Sequence, residues 1–130
     1  MYQLIYTSTP TVELTPDLRR EIAAQARDAN KASGLTGVLL LSDTVCLQIL
    51  EGEERAVRAV YQRIMADSRH EDCDVLLDRH CQDRSFPQWS MTYCEADSEY
   101  EIKLAIVALK SRRRMRERTG ETRTNRATTP

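Results

Sequence analysis

The stretch Cys46-Leu47-Gln48-Ile49-Leu50-Glu51-Gly52 is a strand-length apolar run with a neutral amide at its centre. A short apolar run bounded by turn residues reads as a buried strand. A buried carboxamide has two donors and two acceptor sites, and each group left unpaired costs about 1–3 kcal/mol. Gln48 therefore needs something polar facing it. Working upstream, Thr36–Leu41 is another strand, and Ser42-Asp43-Thr44 is the turn that joins it to Val45–Leu50 as a hairpin. Downstream, Glu51-Gly52-Glu53-Glu54 ends the strand and places acids at the start of a helix, where the dipole favours them.

That helix carries Val57, Val60, Tyr61, Ile64 and Met65 as a one-sided stripe and is expected to end near Ser68. An earlier helix opens with Thr15 as N-cap, Pro16 at its first position and Asp17 in the first turn. Leu18, Ile22 and Ala26 repeat at helical spacing, and Ser33-Gly34 closes it. Residues 2–8, Cys73–Leu77 and Gln88–Tyr93 supply the remaining strands. Pro87 cannot donate to a sheet ladder, so the strand following it is expected at an edge. The order β-α-β-β-α-β-β predicts an α+β, ferredoxin-like two-layer sandwich, with a cleft between two helices on one face of the sheet. Residues 97–118, with Tyr100, Ile102, Ile106 and Leu109, read as an additional C-terminal helix covering the other face. Residues 119–130 carry no pattern and are expected to be disordered.

At 130 residues, with 41% hydrophobic and 30% charged residues, the composition is that of one globular domain. A net charge of −1 argues against a uniformly electrostatic partner, although residues 110–126 are strongly basic. That basic stretch lacks interleaved aromatics and reads as a solvated helix end, so nucleic acid is not the expected partner. No apolar run approaches the ~20 residues of a membrane span, and no secretion signal opens the chain. The four cysteines form no C-x-x-C pair and read as free thiols of a cytoplasmic protein. Arg69-His70 followed by Glu71-Asp72-Cys73-Asp74 has the wrong spacing for a tetrahedral metal site and reads as a solvated turn.

Gln48 is not the only such residue on a core strand. Tyr6 sits in Leu4-Ile5-Tyr6-Thr7-Ser8, and Phe86-Pro87-Gln88-Trp89-Ser90-Met91 brings a tryptophan and a methionine onto the last strand. Singly, each has an ordinary explanation: a packed tyrosine, a glutamine satisfying backbone, an asparagine near a helix end, a Trp–Met core pair. Together, Tyr6, Asn30, Gln48, Trp89 and Met91, with Gly34-Leu35-Thr36-Gly37 and Leu50-Glu51-Gly52, closely resemble the BLUF family of blue-light sensors that use FAD. The resemblance spans residues 2–94, leaving 95–118 as a helical extension and 119–130 as a tail.

The resemblance implies FAD, with FMN or riboflavin as alternatives, held non-covalently between the two helices. It implies that Gln48 bridges Tyr6 and the flavin edge, that Asn30 and Arg63 hold the ring's carbonyl edges, and that Ile22 and Ile64 sandwich the ring. Leu39 carries over as a further cofactor contact, and Asp67, Arg69 and His70 as residues lining the mouth. Such roles make chemical sense, because a flavin ring is a flat apolar plate with one polar edge. The implied mechanism is photochemical: Tyr6 gives an electron and a proton to the flavin, and Gln48 returns with a changed hydrogen bond. The change is then carried through Trp89 and Met91 to a partner surface. Two departures from the family pattern are Ala29, where a polar residue is common, and Cys46, where an aromatic is common.

On this reading the chain is a stand-alone photoreceptor, not an enzyme, signalling to a downstream protein and expected to form a homo-oligomer. The alternative is a ferredoxin-like interaction or ligand-binding module without functional flavin. A flavoenzyme is a third class, but no nicotinamide fingerprint or spare catalytic pair supports it.

Overall fold

The computed structural model describes residues 1–87 and the backbone of residues 92–95. Five strands and two helices alternate as β1 (Tyr2–Pro10), α1 (Pro16–Ser33), β2 (Thr36–Leu41), β3 (Cys46–Gly52), α2 (Glu54–Met65), β4 (His70–His80) and β5 (Thr92–Glu95). The sheet order is β4-β1-β3-β2-β5, with β5 parallel to β2 and the other pairs antiparallel. This is the expected α+β ferredoxin-like sandwich, extended by one strand. β5 occupies an edge, as the proline before it predicts. The expected helix over 97–118, the tail 119–130, the basic stretch and residues 88–91 lie outside the described residues.

Local chemistry sets the helix ends. The Thr15 side chain accepts from the Leu18 amide at 3.2 Å, and Pro16 follows it at the first helical position. Gly34 takes φ of 69°, a left-handed conformation that costs glycine nothing. Leu35 then donates to the Asn30 carbonyl at 2.8 Å, closing the C-terminal motif. The hairpin turn is held by the Ser42 hydroxyl, which accepts from the Thr44 and Val45 amides at 3.3 and 3.1 Å.

Alternation along the strands sorts the core into two faces. Leu4, Tyr6, Leu39, Leu41, Cys46 and Leu50 pack with Val57, Val60 and Tyr61 on the helix side. Ile5, Leu47 and Leu76 are buried on the opposite side.

Two expectations need correction. The segment from His70 to Asp72 is not a solvated turn: β4 begins at His70, with Pro10 opposite His70 and Thr9 opposite Glu71. Its polar residues carry no strand pattern because β4 is an edge strand with one wet side. Two register shifts interrupt the β1–β4 ladder, and Asp72 takes a φ of 55° beside one of them. Likewise α2 stops at Met65 rather than near Ser68. Asp67 ends it: its carboxylate accepts from the Arg69 amide at 3.0 Å and so closes a turn instead of continuing the helix. Among the described residues no helix is long and apolar enough to cross a membrane.

Candidate functional site

Tyr6 and Gln48 are directly paired across β1 and β3, and both point to the helix side. The Tyr6 hydroxyl donates to the Gln48 carbonyl oxygen in a short, buried hydrogen bond. That supplies a polar partner for the buried amide. Tyr6 is 3% exposed, and its burial pushes the phenol well above its ordinary pKa. The Tyr61 ring of α2 lies 5.1 Å from the Tyr6 ring, centre to centre, tilted by 53°. Burial raises the Tyr61 hydroxyl as well, to about 12. Both phenols are thus held neutral.

Above this pair lies a cleft of about 240 Å³ between α1 and α2. Ile22 and Asn30 come from α1, Leu39 from β2, Gln48 from β3, and Arg63 and Ile64 from α2. Asp67 and Arg69 come from the turn after α2, and His70 from the start of β4. All nine residues expected to contact a cofactor therefore line one cleft, together with Tyr6. Trp89 and Met91 lie outside the described residues.

The walls are chiefly aliphatic, with polar groups at defined points. Asn30 is 1% exposed, yet its side-chain Nδ2 has no hydrogen-bond partner among the described residues. A buried donor without an acceptor is costly, so this amide is suited to a ligand carbonyl at the cleft wall. At the mouth, Arg69 pairs with Asp67 at 2.6 Å and donates to the Gln25 side chain at 3.0 Å, bridging α1 to the turn. Hydrogen bonding from Arg69 holds the Asp67 carboxyl below its ordinary range. Arg63 makes no ion pair among the described residues and is exposed at the same mouth. His70 bridges the Ser8 hydroxyl at 2.7 Å and the Ile64 carbonyl. Facing a carbonyl, Nε2 must be the protonated nitrogen, which in the neutral ring leaves Nδ1 to accept from Ser8.

Several lining residues went unassigned at the level of sequence: Leu14, Gln25, Ala26, Leu41 and Val60. Gln25 and Ala26 were within reach of the argument, because they follow Ile22 at helical spacing and share its face. Leu41 was as well, standing two positions after Leu39 on one strand. Leu14 precedes the helix and carries no such signal. Ala29 and Cys46, noted as departures from the family pattern, also line the cleft. Burial raises the Cys46 thiol above its usual pKa, so it behaves as a small apolar wall.

The arrangement is an apolar slot with a polar floor and a charged mouth, of the kind that accepts a flat aromatic ligand with one hydrogen-bonding edge. A family model described as BLUF, sensors of blue-light using FAD, matches residues 1–92. The chain belongs to the BLUF family of flavin-using blue-light sensors, whose cofactor is FAD.

Among its relatives is the photoactivated adenylate cyclase subunit beta-like protein FB of Euglena gracilis, 33% identical over 98 residues, which cover 74% of this chain and 11% of that protein. Another is the blue light- and temperature-regulated antirepressor BluF of Escherichia coli strain K12, 34% identical over 71 residues, which cover 55% of this chain and 18% of that protein. The chain thus spans only a small part of the curated relatives it matches. Among solved structures, BlsA in its photo-activated state superposes with a TM-score of 0.69 at 31% identity, covering 85% of this chain and 80% of that one.

Proposed function

We propose that this chain binds a flavin in the α1–α2 cleft and acts as a non-enzymatic light switch that signals to another protein. The single observation that carries this is the Tyr6–Gln48 hydrogen bond at the floor of a cleft whose wall presents an Asn30 amide without a partner among the described residues. Asn30 and Arg63 hold the polar edges of the ring, and Ile22, Leu39 and Ile64 its apolar faces. Asp67, Arg69 and His70 shape the mouth where the cofactor's tail leaves.

When bound, the flavin supplies an oxidant that blue light switches on. Tyr6 is the residue placed to give up an electron with its phenolic proton, and to take both back, leaving no net reaction. Its burial supports this role, because a neutral phenol keeps the proton that must move. The Gln48 amide has two nearly isosteric ends of opposite hydrogen-bonding sense. With its carbonyl toward Tyr6 it accepts from the hydroxyl; turned over, it presents an NH2 group and the hydroxyl must accept instead. Two arrangements of one amide make a two-state element of the kind a switch requires.

The output passes through Trp89 and Met91 on the segment leading into β5. Edge position supports that choice, since among the described residues β5 has one neighbouring strand where a central strand has two. Flavin loading and a dark-versus-light absorption spectrum test the proposal: a yellow protein with a reversible red shift is expected. A colourless protein that takes up no FAD, FMN or riboflavin favours the ligand-binding module instead.

A further inference from the structure

Glu51 is fully buried, at 0% exposure, which is unusual for a carboxylate. It stands three residues after Gln48 on β3 but faces the opposite side of the sheet. Its two oxygens accept from the Phe86 amide at 2.7 Å, the Ser85 amide at 2.9 Å and the Gln3 side-chain amide at 2.9 Å. Beside it, the Arg84 guanidinium donates to the Glu51 carbonyl at 3.0 Å, to the Thr36 hydroxyl at 2.8 Å and to the Gly34 carbonyl at 2.9 Å. Residues 84–86 are therefore fastened to the end of β3, the start of β2 and the cap of α1.

From Phe86 the chain has only residues 87–91, which include Trp89 and Met91, before β5 begins at Thr92. β5 then pairs with β2, from Val38 opposite Thr92 to Leu41 opposite Glu95. The chain on either side of residues 87–91 is thus held: downstream by the β2 ladder, and upstream by the Glu51 carboxylate together with the Arg84 guanidinium. We infer that Glu51 is a positioning residue, anchoring this segment to the strand that bears Gln48 so that a change at Gln48 is delivered to β5. The inference rests on the switch proposed above.

A carboxylate fits this post where its amide does not. Three N–H donors converge on two oxygens, and a glutamine would turn its own NH2 against at least one of them. Backbone donors bound to a charged acceptor are also held more firmly than those bound to a neutral one.

Amide exchange of the flavin-loaded chain, in darkness and in light, tests the anchor. In Glu51→Gln the flavin and the optical red shift should persist, because Tyr6 and Gln48 lie on the other face. The Ser85 and Phe86 amides should exchange about ten- to 100-fold faster in the dark. The light-minus-dark difference over Thr92–Glu95 should disappear, and thermal decay of the red shift should change rate. Gln3→Ala removes the side-chain donor to Glu51 but leaves the carboxylate and both backbone bonds from Ser85 and Phe86 in place, and should keep the light response of β5. Should Glu51→Gln not fold, Glu51→Asp, which keeps the charge but withdraws it by one methylene, should show an intermediate loss of protection at 85–86.

Unchanged protection at 85–86 with an unchanged response of β5 would overturn the inference. So would loss of the red shift in Glu51→Gln, which would place Glu51 in the photochemical step itself. A parent protein with no red shift would instead sink the switch reading. The dark exchange of 85–86 and 92–95 would then still decide whether Glu51 positions the segment.

Discussion

Tyr6 and Gln48 face one another from directly paired positions on β1 and β3, and the phenol donates to the amide carbonyl inside the core. Because both backbones sit in the antiparallel ladder, the sheet keeps the two residues opposite one another. Gln48→Leu should keep the flavin, since leucine has similar bulk, but abolish the red shift because no amide remains to reorient. Tyr6→Phe should do the same by removing the transferable proton. Difference spectra of both variants check this, and a Tyr6→Phe protein that photocycles like the parent would mean the electron donor is another residue.

Asn30 should govern retention of the flavin more than its colour. Its buried Nδ2 lacks a partner in the described residues, so a ligand carbonyl would satisfy a donor that otherwise costs about 1–3 kcal/mol. Asn30→Ala should weaken binding by roughly five- to 150-fold, and Arg63→Ala in the same direction by less, because Arg63 is exposed to water. Titration of the apoprotein with FAD gives both values, and unchanged affinity in both variants would move the polar edge elsewhere in the cleft.

Much of this site was legible in the sequence because it breaks local rules. A glutamine in an apolar run announces a partner that local structure does not provide, whereas Asn30, ordinary near a helix end, and the residues of the mouth stood out only through the family resemblance. The helix α1 was legible for the opposite reason, with Thr15, Pro16 and Gly34 each where helix chemistry wants them. The start of β4 was not. His70-Glu71-Asp72 is polar, lies on an edge and is interrupted by a register shift, so neither alternation nor apolar content marks it as strand. Nor could the sequence show that His70 reaches Ser8, or that Arg69 reaches Gln25 across the mouth. Such contacts join residues far apart in the chain, and only the folded sheet brings them together.

Stability should hold through neutral pH and fall at both extremes, for different groups. Tyr6 and Tyr61 have folded pKa values above the ordinary phenol value of 10.0, Tyr61 at about 12. Their contribution is complete below pH 10.0 and is lost as pH rises from there through the folded values. Asp67 is shifted the other way, below 3.8, so its contribution is present above that pH and is lost as pH falls through the folded value. Thermal melts across pH should show this shape. Tyr61→Phe should flatten the alkaline fall, and Asp67→Asn the acidic one.

Met91→Ala should separate the optical event from its output. Met91 is proposed to pass on the change at Gln48 rather than to make it, so most of the red shift should survive while the light-induced change in exchange beyond residue 86 is blunted. Identical exchange of residues 86–118 in dark and light in the parent, with some other region responding, would refute this route.

The most direct test of the central claim is the light-minus-dark absorption difference of the purified, flavin-loaded chain. A small red shift of the flavin bands under blue light, decaying fully in darkness and absent in Gln48→Leu, is the predicted result. A flavin spectrum that stays fixed under illumination, or one that bleaches and does not return, would contradict a switch built on Tyr6 and Gln48.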